Sequence, residues 1–213
     1  MYRKYFKNEK GITGLETAII LIAFVVVAAV FAYTALSAGL FSTQKSQEAV
    51  YSGLKEAQST LEIRGGVIAV AASGQTGSSG NISQLKFVVG NVLGGEAIDF
   101  TEPYDDADTN GRADTDSLNV VVINYLDGSQ SVDDLYWTIT KLGNADSDNL
   151  LEENERFEIT IGGASGTGDL QDALTPDLSV KTEFNIEILT PGGATLNIER
   201  TTPAWIDAIV NLR

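Results

Sequence analysis

From Thr17 to Thr43 the chain carries no charged residue. A run this long and this apolar cannot stand in water; lipid, the rest of the chain or other chains must cover it. About 20 apolar residues cross the hydrocarbon core of a bilayer, so the segment is long enough to span one. The residues before it, Met1 to Gly11, carry Arg3, Lys4, Lys7 and Lys10 against a single Glu9. A basic flank of this kind stays in the cytoplasm and places the C-terminal part outside. A cleaved secretory signal would have a shorter apolar region followed by small residues. Small residues do occur between Thr34 and Ser42, so that reading stays open.

No proline occurs before Pro103, and helix formers continue from Gln44 to Arg64. In that stretch Val50, Leu54, Ala57 and Leu61 recur at spacings of four, three and four, an apolar stripe on one helical face. Gly65-Gly66 is the expected stop. One helix from Ile12 to Arg64 would be about 80 Å long at roughly 1.5 Å per residue. The bilayer core takes only about 30 Å of that. A plain membrane anchor does not need the remainder. Ala23, Ala28, Ala29, Ala32, Ala35, Ala38 and Gly39 are small enough to let such helices approach one another closely. The alternative is a signal-anchor followed by a stalk.

The bulk composition narrows the chemistry. Of 213 residues, 14 are Lys or Arg and 29 are Asp or Glu, a formal charge of −15. Such a surface repels nucleic acid, which is therefore not an expected partner. Cysteine and histidine are both absent. Thiol nucleophiles, Ser-His-Asp triads and zinc sites built on His or Cys are thereby excluded.

Lys10-Gly11 followed by Ile12, Thr13, Gly14, Leu15 and Glu16 resembles the processing site of type IV pilin-like precursors. The stretch GITGLETAIILIAFVVVAAVFAY, from Gly11 to Tyr33, is similar to archaeal flagellins (archaellins). The resemblance is carried by residues 4 to 65 and is only architectural beyond them. It implies a leader, residues 1–11, removed by a prepilin-type signal peptidase that cuts between Gly11 and Ile12. It also implies a filament-core helix over 12–65 and a β-rich outer domain over 66–213. The membrane-held precursor would polymerise with copies of itself, alone or together with other archaellins, into an extracellular swimming filament. Membrane assembly and motor proteins would be its further partners, with the motor's ATPase elsewhere. Neither an enzymatic activity nor a required cofactor is implied. An archaeal adhesion pilin is the neighbouring alternative.

Cutting after Gly11 would expose a new α-amino group on Ile12, a positive charge to be buried when helices assemble. Glu16 offers the opposite charge nearby, and an unpaired buried charge is costly. In type IV pilins the corresponding glutamate is thought to pair with the amino terminus of a neighbouring subunit. The plainer role for Glu16 is to stabilise the first turns of the helix through its dipole. Loss of the leader, with four basic residues and one acidic, takes the formal charge from −15 to −18.

After Gly66 the pattern turns to short alternating runs. QLKFVVGNV and EAIDF flank Gly94-Gly95; LNVVVINYL ends at Asp127-Gly128 and LYWTITKL follows. RFEITIG comes next, and LSVKTEFNIEIL and ATLNIER flank Pro191-Gly192-Gly193. Period-two runs of β-branched and aromatic residues separated by GG and DG signals read as hairpins. The fold class expected is thus α+β: a long apolar helix, then an all-β sandwich or barrel-like domain.

Two local features could carry chemistry. In DDADTNGRADTD, from Asp105 to Asp116, the residues Asp106, Asp108 and Asn110 alternate and Gly111 follows. Calcium loops often open this way, and the ion would be structural. The glutamate expected at the twelfth position is replaced by Ser117, so Asp114 or Asp116 would have to serve. The alternative is a solvated acidic loop. Asn81-Ile82-Ser83 is the chain's single N-x-S/T sequon and a candidate for glycosylation at Asn81, since archaellins are often glycosylated. GGASGTGD, from Gly162 to Asp169, lacks a following lysine and reads as a loop. A membrane-anchored, calcium-dependent binding domain is the reading from another class; an exported hydrolase lacks a nucleophile.

Overall fold

A computed structural model of the chain describes residues 10–92, 95–104, 109–163 and 168–212, with side chains from residue 14 onward. Helix α1 runs from Lys10 to Gln58, 49 residues without a proline. Its hydroxyls are folded back onto the helix: Thr34 Oγ1 donates to Phe31 O, Thr43 Oγ1 to Gly39 O and Ser46 Oγ to Ser42 O, each at 2.9 Å. These three hydroxyls are thereby satisfied within the helix, which keeps those positions compatible with an apolar surrounding.

The helix ends six residues before the Arg64 expected from its composition. Ser59 and Thr60 turn their hydroxyls back to Glu56 O, at 3.1 and 3.4 Å. Beyond them the helix carbonyls find partners in another segment: Glu96 N donates to Gln58 O at 3.0 Å. The sequence between Leu61 and Ile63, read as the helix's last turn, is strand β1. The stripe reading counted Leu61 as a helical position, but its side chain is buried in the β-domain instead.

Strand β1 and strand β2 (Val67–Ala71) lie along the same side of strand β3 (Ile82–Asn91). Leu61 faces Asn91 and Ile63 faces Val89, whereas Ile68 faces Lys86, so the two strands differ by a two-residue slip in register. Gly65-Gly66 fills that slip, with Gly65 at φ 114°, a conformation that suits glycine. The glycine pair punctuates a sheet, not a helix.

The chain continues through β4 (Ile98–Asp99), β5 (Val122–Asp127), β6 (Ser131–Val132), β7 (Trp137–Leu142), β8 (Leu150–Leu151) and β9 (Arg156–Ile161). A short helix, α2 (Leu170–Ala173), precedes β10 (Glu183–Leu189), β11 (Thr195–Thr201) and β12 (Ile209–Leu212). One sheet has the order β12-β2-β3-β9-β7, with β1 also on β3; the second has the order β11-β10-β5-β6; β4 and β8 pair separately. All pairings are antiparallel.

The two sheets form a sandwich because each strand alternates. Leu85, Phe87, Val89, Phe157 and Ile159 of the first sheet share one buried cluster with Ile123, Tyr125, Phe184, Ile186 and Ile188 of the second. Phe100 sits edge-on to both Trp137 and Phe157, with ring centroids 5.8 and 5.9 Å apart. The α+β class expected from the sequence is the one observed.

Two of the three expected hairpins differ. The β10–β11 hairpin around Pro191-Gly192-Gly193 forms in register, Leu189 facing Thr195. The Asp127-Gly128 turn does reverse the chain, but onto the two-residue β6; β7 crosses to the other sheet and pairs with β9. β4 pairs with β8 and not with β3, so the sequence around Gly95 is a connection between layers.

Candidate functional site

The unit formed by residues 1–52 consists, where described, of the helix alone. Within the single chain every described side chain from Gly14 to Ala57 is exposed, among them Ile19, Phe24, Phe31, Leu36 and Phe41. The helix is long and apolar enough to cross a membrane, with a mean hydropathy of 2.8 over its most apolar 18 residues. Exposing this many large side chains to water costs about 1.5–3 kcal/mol for each one left unburied. The surface must therefore be covered, and among the described residues nothing covers it.

At its start the helix places the sequence-derived processing residues in its first turn. Gly11 and Ile12 are both helical in backbone, and Glu16 stands four residues beyond Ile12, hence one turn away on the same face. The Glu16 side chain is exposed, available to a group outside the chain.

The acidic loop is brought together only in part. Asp106 and Asp108 lie outside the described residues. Asn110 Oδ1 accepts a hydrogen bond from Arg112 N at 2.9 Å, and Arg112 Nε donates to Asp133 O at 3.1 Å. Asp114 N donates to Tyr104 O, and Ser117 N to Asp114 O, which ties the C-terminal half of the loop to its own start. Among the described residues no three carboxylates converge to hold a metal ion, Asp114 and Asp116 included.

Asn81 is half-buried at the edge of β3. Its Nδ2, the atom a glycan would take, donates to Asp177 Oδ2 at 2.7 Å, and Gln171 Nε2 donates to the same oxygen.

A site that sequence patterns did not single out is the Asp127 turn. Asp127 Oδ1 accepts from Ser129 N at 2.6 Å, Ser129 Oγ at 2.7 Å and Gln130 N at 2.9 Å; Oδ2 accepts from Tyr125 Oη at 2.8 Å. Burial alone would push this carboxyl up, but the hydrogen bonds from Ser129, Tyr125 and Gln130 outweigh it and hold the pKa at about 2. Burial, reinforced by the hydrogen bond to Asp127, pushes the Tyr125 hydroxyl well above the usual tyrosine range. The arrangement is structural: it fixes one hairpin and keeps its charge. The DG dipeptide signalled the turn; the tyrosine two residues earlier was the signal for the brace.

Comparison with known proteins gives a single answer. The sequence profile described as "Archaeal-type flagellin" matches residues 11–200. The chain is 38% identical over 217 residues to "Probable flagellin 1" of Archaeoglobus fulgidus, covering all of this chain and 99% of that one. It is 39% identical over 212 residues to "Probable flagellin 2" of the same organism, covering 94% and 93%. Among solved structures it is similar to the archaeal flagellum of Methanospirillum hungatei, with a TM-score of 0.58, 31% identity and coverage of 91% of this chain and 99% of that one.

Proposed function

Because the chain belongs to the archaeal-type flagellin family, we propose that its precursor is cut after Gly11 and that α1 from Ile12 onward packs against copies of itself. The chain is a structural subunit of the archaeal flagellum filament at the cell surface and not an enzyme. It polymerises with itself and with other flagellins. It needs no cofactor for this.

The observation that carries the assembly reading is the helix exposed on every side from Gly14 to Ala57. Lipid covers this surface in the precursor, and neighbouring helices cover it in the filament. The small residues between Ala23 and Gly39 let those helices approach closely. Glu16, exposed and one turn from Ile12, supplies the carboxylate for the new amino terminus of a neighbouring copy. The peptidase that makes the cut, the membrane assembly machinery and the motor that turns the filament are the remaining partners of this reading. The β-domain, which begins with β1 at Leu61, faces solvent, with a glycan on Asn81 as part of that outer surface. A structural calcium ion in the Asp105–Asp116 loop would draw on Asp106 and Asp108, since Asn110 Oδ1 already serves Arg112 N.

The test is the N-terminal sequence and intact mass of this chain in filaments sheared from cells. An N-terminus at Ile12 is expected, with excess mass on the peptide that contains Asn81. An N-terminus at Met1 in assembled filaments would remove the cut site and the role of Glu16 together.

A further inference from the structure

The outward face of the first sheet mixes Arg64, Lys86 and Arg156 with Glu62 and Glu158, whereas that of β10 and β11 in the second carries acidic charges alone. On the first sheet, Arg64 N donates to Val88 O, which continues β1 by one residue and turns the Arg64 side chain outward. Arg156 faces Gly90 on one side and Leu142 on the other. Gly90 lies beneath Arg64: a Cβ at that position would be in van der Waals contact, 3.4 Å from Arg64 Cγ and 3.5 Å from Arg64 Nε. The Arg64 side chain thus lies over Gly90, the residue that faces Arg156. The two arginines line one groove of about 360 Å³, floored by Val88 and Leu142 and rimmed by Asn144 and Asn154. Arg64 pairs with Glu62, while Arg156 is exposed and makes no ion pair among the described residues.

On the second sheet the outward positions of β10 and β11 include Glu183, Glu187 and Glu199 and no basic residue. Glu183 and Glu199 line an open groove of about 550 Å³, together with the half-exposed Leu126, Asn185 and the Asp127 turn; Lys181 is its single cation. Neither glutamate forms an ion pair among the described residues.

We propose that the Arg64–Arg156 groove of one subunit receives the Glu183–Glu199 face of the next, a head-to-tail contact between outer domains. The occupant is a second copy of this chain. Polymerisation brings outer domains of identical copies side by side, and a repeating assembly joins two different surfaces of one subunit, not one surface to itself. The two grooves are on opposite faces of the sandwich, opposite in charge, and each has an apolar floor beneath its charges. In a leaderless chain of net charge −18, copies otherwise repel one another, and the unpaired Arg156 guanidinium, with Arg64 beside it, offsets that repulsion locally. Planar guanidiniums match carboxylates with two parallel hydrogen bonds, which fixes orientation as well as proximity. The contact is partly solvated, so its main effect is on register and specificity more than on raw affinity.

The experiment uses filaments from cells in which a variant chain is the sole flagellin. The dissociation temperature is read at low salt and at about 0.5 M salt, where charges are screened beyond roughly 4–5 Å. Arg156→Glu is expected to lower that temperature by about 5 °C or more at low salt, or to abolish filaments, as like charges across an interface cost several kcal/mol. Glu199→Arg is expected to do the same. The combined variant, Arg156→Glu with Glu199→Arg, restores filaments and at least half of the lost temperature. A combined variant no better than either single one overturns the pairing, whether or not the singles assemble. Arg156→Glu filaments as heat-resistant as the parent at low salt overturn it directly.

Discussion

Gly192 lies directly against Ser59: a Cβ placed on the glycine would sit 2.1 Å from Ser59 Oγ and 2.4 Å from Ser59 Cβ. Ser59 is buried, and its own N–H donates to Lys55 O at 3.0 Å, so it has little room to yield. The β10–β11 turn is therefore seated on the end of α1. Gly192→Ala is expected to destabilise the protein by about 1–3 kcal/mol through overpacking. Thermal unfolding of the detergent-solubilised full chain checks it, and adding Ser59→Gly should return most of the loss.

Asp127 gives a stability term with a defined pH window. Its folded pKa of about 2 lies below the usual value of 3.8. The stabilisation is therefore complete above about pH 4 and disappears as the pH falls through 2. Asp127→Asn should flatten the acid limb of the stability curve in that window, and should cost about 1.5–3 kcal/mol at neutral pH, as hydrogen bonds to a charge are lost. Urea unfolding at several pH values measures both.

The Phe100–Trp137–Phe157 cluster ties the first sheet to the β4–β8 layer. All three side chains are fully buried. Trp137→Ala should cost about 3–5 kcal/mol, a loss of cavity type that thermal or urea unfolding reads directly. Filament formation should fail at elevated temperature before it fails at room temperature.

Calcium in the Asp105–Asp116 loop predicts that a chelator lowers the melting temperature of the full chain and that added calcium restores it. Elemental analysis of the same sample supplies the second readout. An unchanged melting curve with no bound calcium makes the loop a solvated turn.

The helix and the strands were legible because their signals are local. An uncharged run without proline can hardly be anything but a helix in an apolar setting, and strands β3, β5, β7, β9, β10 and β11 all alternate visibly. The end of α1 was not legible. Leu61 fits a helical stripe and a strand equally well, and the choice is made by β3, which pairs with it through Asn91. Partner choice failed for a similar reason: the Asp127-Gly128 turn was plain, but which later strand would leave for the other sheet depends on packing. The two-residue strands β6 and β8 are too short to show a period. Of the candidate sites, Gly11, Ile12 and Glu16 form a contiguous motif that a sequence displays directly, whereas Arg64 and Arg156 are 92 positions apart and reach one groove through the pairing of β1 and β9 with β3.

Strand β12 lies beside β2, Leu212 facing Val67 and Ile209 facing Val70. The neighbour that closes the first sheet's outer edge thus arrives some 140 positions later in the chain than the strand it covers. Contacts so distant in sequence form late and slowly. Until Ile209–Leu212 pair with it, β2 presents a bare row of amide and carbonyl groups on that side. A variant shortened before Ile209 would leave that row open to a strand from another chain, so the four residues of β12 guard the sheet against mispairing.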